Sequence, residues 1–188
     1  MANALTALRL LLVVPFAVCM AAPDARRAAV AALVLAVGIA SDVLDGPIAR
    51  RRGTASAAGR LFDHTADVLL VTAGLAAGAV RGAFPWILPI LVVTAFAQYV
   101  VDSYWVAGAR QLRASRLGRY NGILYFVPLA GDILVRLGLA PPPLVSAVAW
   151  LLVATTLASM GERLIAGVTA RRRAPASPAG ERGDRPRR

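Results

Sequence analysis

The chain contains no lysine and a single cysteine, Cys19, among its 188 residues. One thiol excludes both a disulfide framework and a thiolate metal site within the chain. The lack of lysine, beside many alanine, arginine and glycine residues, indicates compositional bias and carries no functional meaning. Acidic residues are also scarce, since Asp and Glu together number 10. Any place where they gather is therefore informative.

Hydrophobic residues make up 58% of the chain, whereas about 45–50% is typical of soluble domains. This excess predicts a membrane protein. The length of 188 residues suits one domain, which we place at residues 1–170. Residues 171–188 combine arginine with proline, glycine and serine and lack hydrophobic periodicity, so we expect a disordered basic cytoplasmic tail.

Apolar runs of the length that crosses a bilayer, about 17–25 residues, occur six times. Pro, Gly and charged residues separate the runs. The pattern predicts an all-α integral membrane bundle of six transmembrane helices with a short N-terminal interfacial segment. The predicted spans are 6–22, 28–49, 60–80, 84–107, 119–138 and 143–168.

The net charge is +11, and all the positively charged side chains except the one histidine are arginines. Most arginines lie between or beyond apolar runs rather than on one periodic face, which argues against a nucleic-acid partner. They concentrate between spans two and three, between spans four and five, and after span six. Because positive residues mark the cytoplasmic side, we expect a multi-pass protein of the inner (cytoplasmic) membrane with both termini and the acidic segment on the cytoplasmic side.

The acidic segment is SDVLDGPIARRRGTASAAGRLFDHTAD, residues 41–67, which holds four aspartates. Asp42 and Asp45 share one helix face at the end of span two, and Asp63 and Asp67 share another at the start of span three. Small residues beside them let two helix backbones approach closely. If the spans pack side by side, the four carboxylates converge.

Carboxylates so close together need a cation, because like charges and partial desolvation both disfavour the ionised form. Hard divalent ions prefer oxygen ligands, and two ions about 3.5–4 Å apart can clamp a phosphoryl group. Arg50 and Ser56 lie nearby and can hold a phosphate or its leaving group. The segment therefore predicts a site for phosphoryl chemistry with Mg²⁺ or Mn²⁺.

The spacing D-x2-D-G-x2-A-R-x8-G-x3-D-x3-D resembles the complete signature of the CDP-alcohol phosphatidyltransferase family. The N-terminal NALTALR also resembles the start of many members. The residues that fill the signature are Asp42, Asp45, Gly46, Ala49, Arg50, Gly59, Asp63 and Asp67.

This resemblance implies a homodimeric membrane enzyme that transfers a substituted phosphate from a CDP-alcohol, commonly CDP-diacylglycerol, to an acceptor alcohol and releases CMP. It implies two metal ions per subunit, the first held by Asp42, Asp45 and Asp63 and the second by Asp42, Asp63 and Asp67. Asp67 would also be the general base. Gly46, Arg50 and Ser56 would contact the CDP-lipid.

The acceptor is less determined. Arg110 and Arg113 are candidates for an acceptor phosphate, although the positive-inside bias explains them equally well. The short chain resembles phosphatidylglycerophosphate synthases, which favours glycerol 3-phosphate. Inositol phosphate and phosphatidylglycerol stay open as acceptors. A membrane prenyltransferase and a transporter that uses intramembrane acids are alternative classes.

Several other polar residues have weaker interpretations. Asn3, Thr6 and Arg9 recur every three residues and form either a polar face beside the nucleotide or a helix cap. His64 adjoins Asp63 but is expected on a different helix face, as an interfacial residue. Asp132 and Arg136, four residues apart, are expected to pair, and Glu162 and Arg163 are expected at the interface.

Overall fold

The fold is described from a computed structural model, which describes residues 2–51, 57–102 and 116–173. Side chains are described within 6–41, 59–102 except Arg60, and 118–166 except Arg119. Within these ranges the chain is helical and contains no strand. The helices are α1 Ala2–Ala21, α2 Ala25–Arg51, α3 Ala57–Val80, α4 Ile87–Val101, α5 Arg116–Leu124, α6 Phe126–Arg136 and α7 Pro142–Arg173.

A helix covers most of each predicted span, and the all-α prediction is confirmed for the described residues. The fifth span forms two helices, α5 and α6, which meet at Tyr125. Pro128 follows this break; it has no amide hydrogen to donate to the carbonyl of Leu124, and its ring crowds that carbonyl. α1 begins at Ala2 and includes the predicted interfacial segment without interruption.

Among the described helices, one stretch, Pro142–Ala166, is long and apolar enough to cross a membrane by length and composition. Thr6–Ala21 and Ile87–Val101 are shorter apolar helices. Large apolar side chains also lie exposed on the outside of the bundle, including Leu11 at 74% and Leu33 at 67%. Such a surface favours contact with lipid, while the count of six membrane spans stays a prediction.

α1 packs along both α2 and α3. Phe16 and Met20 of α1 are fully buried in the core. Gly74 of α3 makes this close packing possible, because a Cβ atom there would lie 2.4 Å from Cε1 of Phe16. Leu129 of α6 covers the same position from the other side. The core thus holds α1 firmly against the helix that carries Asp63 and Asp67.

Two glycines end helices at sharp turns. Gly82 follows α3 with φ of 83°, and Gly138 follows α6 with φ of 74°. At each turn the glycine amide donates to the carbonyl three residues back and the next amide donates to the carbonyl five residues back. This is the Schellman arrangement, whose left-handed position favours glycine.

A charged cluster lies at the end of the bundle where α1 ends. The predicted pair of Asp132 and Arg136 is confirmed at 3.2 Å, and Arg81 joins it at 2.6 Å from the same carboxylate oxygen. Arg136 also donates to the carbonyls of Cys19 and Ala22, and Arg81 donates to that of Met20. We call Arg81, Asp132 and Arg136 the lock, because they tie α3 and α6 to the C-terminal end of α1.

Asp24 starts α2 near the same end. Its carboxylate accepts a hydrogen bond from the backbone amide of Arg27 at 2.9 Å. This bond satisfies one of the free amides of the first helical turn. It also lowers the pKa of the Asp24 carboxyl below its usual value.

Candidate metal and substrate site

Asp63, His64 and Asp67 project from the N-terminal half of α3. Each offers one possible metal ligand atom, and these three atoms all lie within 4.8 Å of one another. The two carboxylate side chains are 26% and 20% exposed, respectively. They are therefore partly sheltered from water and still reachable from outside the bundle.

The helix itself brings these groups together. Asp63 and Asp67 are four residues apart and share a face, as their spacing predicts. His64 is three residues before Asp67, so its imidazole can turn toward that carboxylate although it adjoins Asp63. The sequence interpretation considered only the relation to Asp63. The structure brings His64 into the acidic group, with its ring edge-on to Tyr99 of α4 at 6.3 Å between centroids.

α1 supplies the cation that faces this group among the described residues. The guanidinium of Arg9 pairs with both carboxylates: Nη1 donates to Asp67 and Nη2 donates to Asp63. One turn earlier, the Thr6 hydroxyl lies 3.4 Å from Asp63 Oδ1. The three-residue spacing of Thr6 and Arg9 indicated a polar face, and this face lies against the acidic pair.

The second half of the predicted site is described only in part. The backbone of Asp42, Asp45, Gly46 and Arg50 lies in α2, but their side chains lie outside the described set. Ser56, Arg110 and Arg113 lie outside the described residues. Among the residues whose side chains are described, α2 and α3 pack mainly on α1 and not along each other. They come close at Gly38, where a Cβ atom would lie 3.0 Å from Leu70 Cδ2.

A buried polar group that sequence reasoning missed lies between α5 and α7. The Tyr125 hydroxyl is 2.7 Å from that of Thr156, and the Asn121 amide donates to the same Thr156 oxygen at 3.5 Å. Asn121 and Thr156 are 2% and 1% exposed. Their separation of 35 residues in sequence left no local pattern to predict the contact.

Arg163 of α7 is half-buried. Its guanidinium carbon lies 5.6 Å from the centroid of the Tyr99 ring, within the range of a cation–π contact. Because Tyr99 also contacts His64, this arginine lies on the same side of the bundle as the acidic group. Glu162 is exposed, and its place at the membrane interface stays a prediction.

Comparison with known families supplies the identity of this arrangement. The model of the CDP-alcohol phosphatidyltransferase family matches residues 1–160, which include all four aspartates of the motif. The chain belongs to this family. A comparison with curated proteins and one with solved structures each found no match.

Membership makes the chain an enzyme of the CDP-alcohol phosphatidyltransferase type. The family points to phospholipid synthesis by phosphatidyl transfer from a CDP-alcohol to an alcohol acceptor, and its members are membrane proteins that use divalent metal ions. The donors present fit such an ion, because two carboxylates and an imidazole lie close together and open to solvent. Carboxylate oxygens are the ligands that hard divalent cations prefer.

Proposed function

We propose that the enzyme transfers the phosphatidyl group of CDP-diacylglycerol to glycerol 3-phosphate and releases CMP. The observation that carries this proposal is the group of Asp63, His64 and Asp67, which lies within the region matched by the family model. Two carboxylates at the reach of one ion suit a reaction in which a pyrophosphate must be bound and split. The resemblance of the chain to phosphatidylglycerophosphate synthases favours glycerol 3-phosphate as the acceptor.

In this proposal Asp42, Asp45, Asp63 and Asp67 hold two Mg²⁺ or Mn²⁺ ions. The metal ions supply charge that polarises the pyrophosphate and stabilises the leaving CMP. The protein contributes position, because α2 and α3 each present two aspartates from adjacent turns. His64 is an additional possible ligand that the motif alone did not suggest.

The remaining residues of the motif serve the donor. Gly46 leaves room for the nucleotide, and Arg50 and Ser56 contact the CDP portion. Asp67 takes the proton of the acceptor hydroxyl as its oxygen attacks the phosphorus attached to diacylglycerol. The bond from that phosphorus to the bridging oxygen breaks, and this oxygen leaves with CMP.

Arg110 and Arg113 are our candidates for the phosphate of the acceptor. Their charge suits glycerol 3-phosphate and also suits inositol phosphate, the first alternative. The second alternative is phosphatidylglycerol, which as acceptor would give cardiolipin. We further propose, from the family resemblance, that the enzyme is a homodimer in the inner membrane. The distribution of arginine supports an orientation with both termini and the site on the cytoplasmic side.

Release of CMP by the purified full-length protein in detergent tests the reaction. CDP-diacylglycerol and Mg²⁺ are supplied with glycerol 3-phosphate, inositol phosphate, inositol, serine or phosphatidylglycerol in separate reactions. We expect release that depends on glycerol 3-phosphate and stops when EDTA removes the metal. Release with a different acceptor in its place would reject glycerol 3-phosphate as the acceptor. Release that persists in EDTA would reject the requirement for a divalent metal ion.

The substitution Asp67→Asn tests whether Asp67 is the general base. Loss of a positioned general base lowers the rate by about 10²–10⁴-fold, and loss of a metal ligand adds to the effect. Asp24→Asn is the matched control, because the same change is made at the exposed cap of α2, beyond the opposite end of α1 from the site. Full activity in Asp67→Asn would show that Asp67 is not the base.

A further inference from the structure

Arg9 differs from the carboxylates that it contacts in its access to solvent. Its side chain is 0% exposed, whereas those of Asp63 and Asp67 are 26% and 20% exposed. The guanidinium therefore lies on the buried side of the acidic pair, between α1 and α3. The exposed side of the same pair is where an ion from solution would arrive.

The contacts bridge one helical turn. Each terminal nitrogen of Arg9 meets Oδ1 of a different aspartate, Asp63 in one case and Asp67 in the other. Without a bridge, two like charges on adjacent turns repel each other and their side chains separate. A carboxylate has about four acceptor sites on its two oxygens, so one that accepts a guanidinium can also ligate a metal.

We propose that Arg9 is a positioning residue, which holds Asp63 and Asp67 from behind in the orientation that binds the divalent ion. This inference rests on the proposed metal site. Partners behind the ligands commonly decide how well a site binds, and their mutation lowers metal affinity by about 10–100-fold. Thr6 supports the same arrangement through its contact with Asp63.

The planar guanidinium is essential to this role. Its nitrogens form a rigid fork that can serve two oxygens at once, whereas a lysine ammonium is a point charge on a flexible stem. Arg9→Lys therefore keeps the positive charge and removes the bridge. A neutral variant would change the attraction for a cation as well as the geometry, so lysine is the cleaner substitution.

The test is binding of Mn²⁺ to the full-length protein in detergent, without substrate, measured by electron paramagnetic resonance of the free ion. We expect Arg9→Lys to bind Mn²⁺ about 10–100-fold more weakly than the wild type. Thr6→Val should weaken binding in the same direction and by less. Arg27→Lys is the matched control, because Arg27 is exposed and lies beyond the opposite end of α1.

The thermal unfolding midpoint of each metal-free variant is measured in parallel. Tighter Mn²⁺ binding by Arg9→Lys would mean that Arg9 competes with the ion, which overturns the proposal. Unchanged affinity, or a variant that is unfolded without metal, would assign Arg9 a structural role and overturn it as well. Absence of Mn²⁺ binding by the wild type would reject the metal site itself, a different failure that also removes the basis of the inference.

Discussion

Replacing Asp132 by asparagine should destabilise the fold strongly, because this carboxylate is the acid of the lock. It is 5% exposed and accepts both Arg81, which is 18% exposed, and Arg136, which is 3% exposed. The substitution preserves the shape of the side chain and removes the charge. Two guanidinium groups then remain in a poorly solvated place without their carboxylate.

The expected loss follows from the burial of the partners. Removing one member of a buried ion pair costs about 3–5 kcal/mol, since the other charge stays desolvated. Asparagine keeps one acceptor oxygen, and Arg81 retains some contact with solvent, so the lower end of this range applies. We expect a decrease of about 3 kcal/mol in the free energy of unfolding.

Denaturant unfolding in detergent, followed by circular dichroism, measures this difference. Asp24→Asn serves as the control, because Asp24 is exposed and asparagine caps a helix as well as aspartate does, so its loss should be much smaller. If Asp132→Asn unfolded within about 1 kcal/mol of this control, the lock would contribute little and the reasoning from buried charge would be wrong.

Two further predictions concern packing and buried hydroxyls. Gly74→Ala should lower stability by about 1–3 kcal/mol through overpacking against Phe16. Gly122→Ala should raise it by up to about 1 kcal/mol, because a Cβ atom there meets nothing within 4 Å. Equal effects of the two substitutions on thermal unfolding would contradict this geometry. Thr156→Val should cost about 1–3 kcal/mol because it leaves Tyr125 and Asn121 without their shared partner, and Thr156→Ser, which keeps the hydroxyl, should cost less by the same measurement.

Local sequence patterns predicted most of the helices and the shared helix face of Asp63 and Asp67. The apolar runs located the helices, because a helix that crosses a bilayer needs a long hydrophobic stretch of sequence. Asp63 and Asp67 were placed on one face by helical periodicity alone, and the pairing of Asp132 with Arg136 followed from the same rule. The break at Tyr125 was not predicted, although Pro128 provides the physical signal for it.

Contacts between distant segments were beyond such reasoning. Arg9 and Asp67 are 58 residues apart, and Arg81 and Asp132 are 51 apart. Periodicity tells which residues share a face of one helix, but it does not tell which other helix that face meets. The Thr6 and Arg9 spacing therefore indicated a polar stripe, while its partner became known only from the packing of α1 on α3.

α1 connects the site to the lock through one continuous helix. Arg9 and Met20 are 11 residues apart on it, or about 16 Å along the axis at 1.5 Å per residue. Between them, Phe16 packs against Gly74 of α3, so α1 is held to α3 at the site, in the core and near the lock. Three attachments along one helix fix its register against α3, and with it the height at which Arg9 meets the two carboxylates. The lock therefore contributes to the site by holding α1 in place.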